Sequence, residues 1–191
     1  MNTLDTESQT VRDLLRMPAA VSEVADSATW CIEYMALRAS CAPRVRGQRL
    51  AAVFDIDDTL VRHDARVEEV CDIYEQCKIL RITPFIITAR SEKGRGYTEE
   101  QMQNIGITGY KRLFMHPTHE RRDMDNAGRI KARHRDDIAS HGFVVVFNAG
   151  DAVGDHFHPP PHCTTVLRAS DRAIVFVDDK GVVHLKLKSD Q

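Results

Sequence analysis

Short apolar runs alternate with segments of helical periodicity along most of this chain, and that alternation constrains the fold more than any other feature. Predominantly apolar runs, typical of strands buried on both faces, occur at Leu50–Phe54, Pro84–Thr88 and Phe143–Phe147. Between them, apolar residues recur every three or four positions, which predicts helices over Arg66–Leu80 and Asn126–Ser140. Strands alternating with helices form a mainly parallel sheet covered on both faces. The sequence therefore predicts a Rossmann-like, three-layer α/β/α fold.

Shorter elements complete this pattern. A helix is predicted over Thr98–Ile105, with Thr98 as its N-cap and Gly106 as its stop. Further strands are predicted at Arg112–Met115, Thr165–Leu167, Ala173–Val177 and Val182–Leu187. The last two would pair in a hairpin across the turn sequence at 178–181. The pattern leaves open whether these C-terminal strands extend the sheet or form an interface.

Length and composition bound the organisation of the chain. Its 191 residues suit one domain, since domains run to roughly 100–200 residues. An apolar stripe predicts a helix over Pro18–Leu37, so we expect residues 1–48 to form a helical lead-in packed on a core of residues 49–191. A hydrophobic content of 42% argues against disorder throughout. A net charge of −2 is not typical of a strongly basic nucleic-acid binder.

The same sequence carries no sign of a membrane or secretory segment. No apolar run approaches the roughly 20 residues that a membrane helix needs. Met1–Arg16 lacks the apolar stretch of a secretory signal. Five cysteines, an odd number without a CxxC pair, argue against a disulfide framework and a cysteine zinc site. We therefore expect a cytoplasmic protein with reduced cysteines and no membrane partner.

Charged and polar residues stand at the C-terminal ends of the predicted strands. Residues 55–59 (DIDDT) follow the first strand, residues 88–90 (TAR) the second, and residues 148–155 (NAGDAVGD) the fourth. In parallel sheets, binding sites lie at the carboxyl ends of strands where the strand order reverses. Because strand side chains alternate, Asp55 and Asp57 can project toward the same region. The sequence thus predicts an active site rich in carboxylates.

Four motifs, found in the expected order, resemble those of the haloacid dehalogenase (HAD) superfamily of phosphotransferases. They are a DxDxT sequence, a strand ending in Ser or Thr, a lysine on the helix before the last core strand, and a GDxxxD sequence. In this chain they are matched by Asp55, Asp57 and Thr59, by Thr88, by Lys131, and by Gly150, Asp151 and Asp155. One motif alone would be a weak signal, but four in order are strong.

A closer resemblance is to the bacterial class B and plant acid phosphatases. In that branch an arginine follows the motif lysine four residues later, as Arg135 follows Lys131 here. Two features depart from it. That branch is usually exported, whereas this chain shows no signal, and the tail beyond His156 has no counterpart that we can match.

The resemblance implies a phosphatase that acts through an aspartyl-phosphate. Asp55 would be the nucleophile, and Asp57 would protonate the leaving oxygen and then activate water. Thr88 and Lys131 would hold the phosphoryl oxygens, since phosphoryl transfer depends mostly on positioning and electrostatic stabilisation. Further substrate contacts are expected from Thr59, Arg90 and Arg135.

Several carboxylates facing a phosphate require a cation, and Mg²⁺ suits oxygen ligands. Asp55 and Asp151 are the expected side-chain ligands. By resemblance, the backbone carbonyl of Asp57 would be another, and Asp155 would act directly or through water. By contrast, we expect His156, His158 and His162 to be exposed residues of a rigid loop.

The spacing of the motifs leaves no room for a large cap domain. The intervals from Asp57 to Thr88 and from Thr88 to Lys131 are filled by predicted core elements, so only a small flap at about Val61–Ala65 is expected. An open site suits a phosphorylated small molecule, and also a phosphoprotein, a nucleotide or a nucleic-acid end bound by the basic helix over Arg129–Arg135. A non-catalytic binding protein, transfer to an alcohol, and a homo-oligomer remain open.

Overall fold

The computed structural model describes residues 31–32, 36, 49–120, 123–156, 163–169, 173–178 and 182–187. Its strands are β1 (Arg49–Phe54), β2 (Val61–Arg62), β3 (Ala65–Arg66), β4 (Thr83–Ser91), β5 (Leu113–His116), β6 (Phe143–Gly150), β7 (Cys163–Ala169), β8 (Ala173–Asp178) and β9 (Val183–Leu187). Its helices are α1 (Glu68–Ile79), α2 (Arg95–Asn104), α3 (Met124–Ser140) and the single turn α4 (Val153–His156).

Seven of these strands form one sheet, in the order β5-β4-β1-β6-β9-β8-β7. The first five strands in that order are parallel, and β8 is antiparallel to both of its neighbours. The chain runs from β1 outward to β4 and β5, and then crosses to the other side of β1 to form β6. The strand order therefore reverses at β1, and the predicted α/β fold is confirmed. The C-terminal strands extend the sheet through the β6–β9 pair.

Alternation along β1 supplies a core on each face of the sheet. Phe54 belongs to a large cluster that includes Tyr74 of α1, whereas Val53 belongs to a second cluster that includes Ile138 of α3. The Phe54 ring meets that of Tyr74 edge-on, with ring centroids 5.3 Å apart. Burying a side chain of this size contributes roughly 1.5–3 kcal/mol. Both layers of helices thus fix β1, and with it the residues directly after the strand.

The start of α2 differs from the prediction. Thr98 is not its N-cap, because the helix begins at Arg95 after a 3₁₀ turn over Glu92–Gly94. That turn is capped by Ser91, whose hydroxyl accepts a hydrogen bond from the Lys93 amide. In the sequence, a threonine within the first turns of a helix resembles an N-cap when no apolar stripe marks where the helix begins. The predicted stop at Gly106 is confirmed, since its φ of +78° follows the last turn.

Strands β4 and β6 run further than their apolar sequences. β4 continues to Ser91 and β6 to Gly150, so the polar residues at 88–90 and 148–150 lie within strands and not after them. In β6, Asn148 pairs with His184 and Gly150 with Lys186 of the parallel neighbour β9. Pairing of this kind depends on backbone groups, so it continues past the point where the apolar pattern stops.

The predicted flap is a two-stranded hairpin of β2 and β3. Its two turn residues, His63 and Asp64, both have positive φ values, of 49° and 62°, as in the tight turns that match strand twist. In the described residues 57–120 and 123–131, no lid domain accompanies this hairpin. The expected absence of a large cap therefore agrees with these parts of the chain.

The described residues include only part of the helix predicted over Pro18–Leu37. Cys31 is buried in the large core cluster, Ile32 packs against it, and both are helical, as is Ala36. The rest of the predicted helix, and the turn at 179–181, lie outside the described residues, so the domain division stays a prediction. Cys31, Cys71 and Cys77 are buried cysteines. None of the helices described here is long and apolar enough to cross a membrane.

Candidate active site

Asp55 directly follows the central strand and is held at the point where the strand order reverses. Its amide donates a 3.0 Å hydrogen bond to the carbonyl of Ala149 in β6, which continues the β1–β6 pairing by one residue. Its side chain is buried. A carboxylate at this position is expensive to bury unless a charged partner compensates for the lost water.

Lys131 supplies that charge. It projects from α3, a helix whose N-cap Asp123 accepts a 2.8 Å hydrogen bond from the amide of Asn126. The Lys131 Nζ lies 3.0 Å from Asp55 Oδ1 and also donates to Asp155 Oδ1. All three side chains are buried, so the ammonium joins the end of β1 to the turn after β6. This position excludes the solvated surface role that is usual for lysine in a basic helix.

The turn after β6 brings in two more carboxylates. Asp155 Oδ2 accepts a 3.0 Å hydrogen bond from the amide of Ala152, which folds the turn back on itself. Gly150 makes this possible, because a Cβ at that position would lie only 2.3 Å from the Cβ of Asp155. Asp151, between them, is half-buried. The glycine of this motif is thus required by close packing.

Burial is the largest single influence on the pKa of each group in the cluster. It raises the pKa of Asp55 to about 8; Lys131 opposes that rise, and Asp155 adds to it. Burial also raises the pKa of Asp151, again with a contribution from Asp155. For Lys131, burial acts to lower the pKa, but the two adjacent carboxylates outweigh it and raise the value above the ordinary range. The one ammonium is therefore too little positive charge to balance the carboxylates of this cluster.

A divalent cation fits this arrangement. Carboxylate oxygens of Asp55, Asp151 and Asp155 all lie within 4.8 Å of one another. When ionised, these three carboxylates and one ammonium leave two uncompensated negative charges. Among the described residues, Asp55 Oδ1 has the ion pair with Lys131 but no well-directed hydrogen bond. Oxygen donors of this type suit Mg²⁺ or Ca²⁺.

Asp57 faces a different environment. Both of its carboxylate oxygens accept hydrogen bonds from Arg90, at 3.1 and 3.0 Å from Nε and at 2.6 Å from Nη2. Its side chain lies outside the carboxylate cluster and is largely exposed. The expected coordination by its backbone carbonyl stays a prediction. The sequence did not indicate the Arg90 pair, because the partners are 33 residues apart.

The remaining predicted site residues lie around this centre. Thr88 is buried, and its hydroxyl accepts a 3.2 Å hydrogen bond from the Arg90 amide. Thr59 is fully buried, and within the described chain its hydroxyl makes no hydrogen bond. Arg135 donates a 2.9 Å hydrogen bond to the backbone carbonyl of Asp155. Arg135 therefore supports the turn that carries the acids, and its predicted contact with substrate stays a prediction.

The sequence did not indicate a buried polar cluster beside the turn at 150–155, formed by Asn148, His156 and His184. The Asn148 side chain donates to the Asp155 carbonyl at 3.0 Å and lies 3.2 Å from Nδ1 of both His156 and His184. His156 Nε2 lies 3.0 Å from the carbonyl of Gly150. The prediction of an exposed His156 is therefore wrong, because α4 turns the ring inward against β6 and β9. His158 and His162 lie outside the described residues.

The family model of HAD superfamily, subfamily IIIB (acid phosphatase) matches residues 61–176, more than half of the chain. The chain belongs to this subfamily. It is therefore a phosphatase of the HAD superfamily, as the four motifs indicated. None of the curated proteins compared with the chain matches it.

The subfamily match and the motifs cover different parts of the chain. The matched range includes Thr88, Lys131 and the 150–155 turn, but it begins after the DxDxT sequence at 55–59. The link between that sequence and the rest of the site is geometric, through Lys131 at 3.0 Å from Asp55. The roles of individual residues in this subfamily member are therefore proposals.

Proposed function

We propose that the protein is a Mg²⁺-dependent phosphomonoester hydrolase that forms an aspartyl-phosphate on Asp55. The observation that carries the proposal is the buried Asp55 at the end of the central strand, with Lys131 at 3.0 Å and two further carboxylates within 4.8 Å. A nucleophilic carboxylate must be fixed in direction and kept from water, and this position does both. Its product, an acyl phosphate, would be hydrolysed in a second step.

Asp55, Asp151 and Asp155 would hold the cation, with the Asp57 carbonyl as a further ligand. When bound, Mg²⁺ would supply positive charge that favours the ionised form of Asp55 and reduces repulsion of an anionic substrate. Lys131 would hold a phosphoryl oxygen, since its ammonium is already directed into the cluster. The Thr88 hydroxyl would donate to another phosphoryl oxygen.

Asp57 would transfer the protons. Its carboxylate is two residues beyond Asp55 and largely exposed, so a leaving group and water can both reach it. It would protonate the leaving oxygen as Asp55 attacks phosphorus, and would then take a proton from the water that cleaves the acyl phosphate. Arg90, which binds both oxygens of the ionised Asp57, would keep Oδ1 through Nη2 while Oδ2 takes up the proton that passes to the leaving oxygen, and would so fix the direction of the carboxyl group.

The substrate is a phosphorylated compound, and we propose a small molecule. The basic helix that would bind a nucleic-acid end offers less free charge than its sequence indicates. Lys131 is buried, Arg133 pairs with Glu120 at 2.8 Å, and Arg135 binds the Asp155 carbonyl. Nucleotide and phosphoprotein substrates, a homo-oligomer and a cytoplasmic location stay predictions. An intact Asp55 and Asp57 favour an enzyme over a binding protein.

The test is release of phosphate from an aryl phosphate, with and without Mg²⁺, by the wild type and by Asp55→Asn. Removing a covalent nucleophile costs on the order of 10⁴-fold or more in kcat, so release should become undetectable. Asp58→Asn is the matched control, because the Asp58 side chain is exposed and pairs with Arg62 at 3.6 Å, away from the carboxylate cluster. It should retain the wild-type rate within about twofold.

Trapping the intermediate separates this mechanism from direct attack by water. Acid quenching of the wild type during turnover of ³²P-labelled substrate should leave label on the protein, and Asp55→Asn should carry none. Label that persists in Asp55→Asn, or full activity in the presence of a chelator, would contradict the proposal.

A further inference from the structure

Gln101 of α2 joins Arg90 to the tip of the β2–β3 hairpin. Its Oε1 accepts a 2.7 Å hydrogen bond from Arg90 Nη1, and its Nε2 donates a 2.8 Å hydrogen bond to Asp64 Oδ1. Arg90 in turn binds both oxygens of Asp57. The four side chains therefore form a continuous chain of hydrogen bonds from the hairpin to the Asp57 carboxylate.

The direction of the Gln101 amide follows from its neighbours. A guanidinium has only donors and an ionised carboxylate has only acceptors, so the amide oxygen must face Arg90 and the amide nitrogen must face Asp64. Both ends of the side chain are used, at short distances. An amide can link an arginine to an aspartate in this way because it offers an acceptor and a donor, which neither a carboxylate nor an ammonium does.

The hairpin is held to α2 at a second place. Arg66 Nη1 donates a 2.8 Å hydrogen bond to the carbonyl of Ile105, which follows the last residue of α2. Positions 101 and 105 are four residues apart and lie on the same side of the helix. The hairpin therefore runs along one face of α2, and Gln101 fixes its tip while Arg66 fixes its base.

Asp57 needs such support because little else holds it. Its side chain is 56% exposed, and Arg90 is the one described residue that pairs with its carboxylate. A freely rotating carboxylate spends most of its time away from the direction that proton transfer requires. The Arg90 fork can aim it only if the guanidinium is itself fixed, and Gln101 is the side chain that binds the remaining Nη1.

We propose that Gln101 is a positioning residue for phosphate-ester cleavage, acting through Arg90 on Asp57 and braced by Asp64 of the hairpin. The inference rests on the proposed function, in which Asp57 protonates the leaving oxygen. On this proposal, the β2–β3 hairpin has a function besides covering the site, because it supports the proton donor. It also predicts which substrates will reveal the effect.

The effect of Gln101 depends on the leaving group. A phenolate with a low pKa leaves without help, whereas an alkoxide must be protonated as it departs. A residue that acts through the proton donor should therefore matter for alkyl phosphates and much less for activated aryl phosphates. A residue that only stabilises the fold should change both to the same extent.

The experiment compares kcat/KM for glycerol 2-phosphate and 4-nitrophenyl phosphate in three variants. Asp57→Asn should lower the value for the alkyl ester about 10²-fold more than for the aryl ester. Gln101→Leu should lower the alkyl value about 10-fold and the aryl value less than about twofold. Gln103→Leu, a matched change at an exposed position on the same helix, should alter neither.

A paired substitution tests the contact with the hairpin. Gln101→Glu keeps an acceptor for Arg90 but sets a carboxylate against Asp64, so the alkyl value should fall about fivefold. Adding Asp64→Asn supplies the missing donor and should restore that value to within about twofold of the wild type. Because both changes are nearly isosteric, this pair also tests the inference if Gln101→Leu fails to fold.

The outcomes distinguish the inference from the function on which it rests. Equal losses for both esters in Gln101→Leu, alongside a strong leaving-group effect in Asp57→Asn, would overturn the positioning role and leave the general acid in place. No leaving-group effect in Asp57→Asn would overturn the general acid itself, and the inference with it. A double variant no better than Gln101→Glu alone would overturn the bracing by the hairpin.

Discussion

Two networks of charged side chains lie beyond the end of β1, and they differ in their exposure to water. In the first, the side chains of Lys131 and Asp55 are each 7% exposed and that of Asp155 is 3% exposed. In the second, Arg90 is 18% exposed and Asp57 56% exposed. Both contain arginine or lysine bound to aspartate at hydrogen-bond distance, so distance alone does not distinguish them.

Exposure determines what each network can contribute. Buried charges have no water to replace a lost partner, so removing one leaves the others uncompensated at a high cost. Exposed pairs exchange readily with water and contribute little to stability, although they still fix geometry. We therefore expect the Lys131 network to control folding and cation binding, and the Arg90 network to control the direction of Asp57. Substitutions in each network, measured beside matched controls, test this division.

The largest effect on stability is expected from Lys131→Met. It leaves Asp55 and Asp155 buried without the ammonium group that pairs with them. In metal-free buffer this should lower the free energy of unfolding by about 3 kcal/mol. Urea denaturation would measure the loss. Arg133→Met, at an exposed position two residues along the same helix, should cost less than about 1 kcal/mol. Equal losses in the two variants would remove the distinction between the networks.

Cation binding should depend on the clustered carboxylates of Asp55, Asp151 and Asp155, and not on the Asp57 carboxylate. At a Mg²⁺ concentration about 100 times the dissociation constant, the wild type should gain about 2.7 kcal/mol of stability, measured by denaturation with and without chelator. Asp151→Asn should lose most of that gain, since Asp151 is one of the three clustered carboxylates. Asp57→Asn keeps its backbone carbonyl and should retain the gain. A Mg²⁺ effect lost only in Asp57→Asn would reverse our assignment.

Close packing around the buried network should appear in Gly150→Ala. The added Cβ would lie 2.3 Å from the Asp155 Cβ, so the turn must shift, at a cost of about 1–3 kcal/mol. Gly96→Ala is the matched control within α2. Nothing lies within 4 Å of its added Cβ, and alanine favours helix, so this variant should be unchanged or slightly more stable. Thermal unfolding of both variants would decide.

The smallest effect on stability should follow Arg90→Met. Its pair with the exposed Asp57 is worth about 1 kcal/mol or less to folding, because water can solvate the carboxylate that is left. Hydrolysis of alkyl phosphates should nevertheless fall, because the proton donor loses its direction. A loss of stability as large as that of Lys131→Met would show that the exposed network is structural.

Local patterns in the sequence predicted most of the fold and the residue types of the site. The continuous apolar runs identified β1, β4 and β6, and the four motifs identified the phosphatase superfamily. The chain positions of Asp55 and Asp155 were sufficient to place them near one edge of the parallel sheet, because the segments at the carboxyl ends of its strands meet there. Lys131, which lies on a helix, was placed with them by its motif. These inferences needed no knowledge of distant contacts.

What the sequence could not predict depends on pairing between distant segments. The Arg90–Asp57 pair and its continuation through Gln101 to Asp64 join residues from a strand, a helix and a hairpin. The inward turn of His156 depends on β9, which brings His184 beside it. The predicted start of α2 was wrong for a local reason, since Thr98 has the chemistry of an N-cap but lies within the helix.

The insertion of β9 beside β6 also bears on how the chain folds. β6 is a central strand of apolar sequence, yet one of its two partners is supplied by residues 183–187, more than thirty positions downstream. Until the β8–β9 hairpin arrives, the edge of β6 is unpaired and is open to strands of other chains. We therefore expect molecules in which β9 is not yet paired to aggregate more readily than those with the complete sheet.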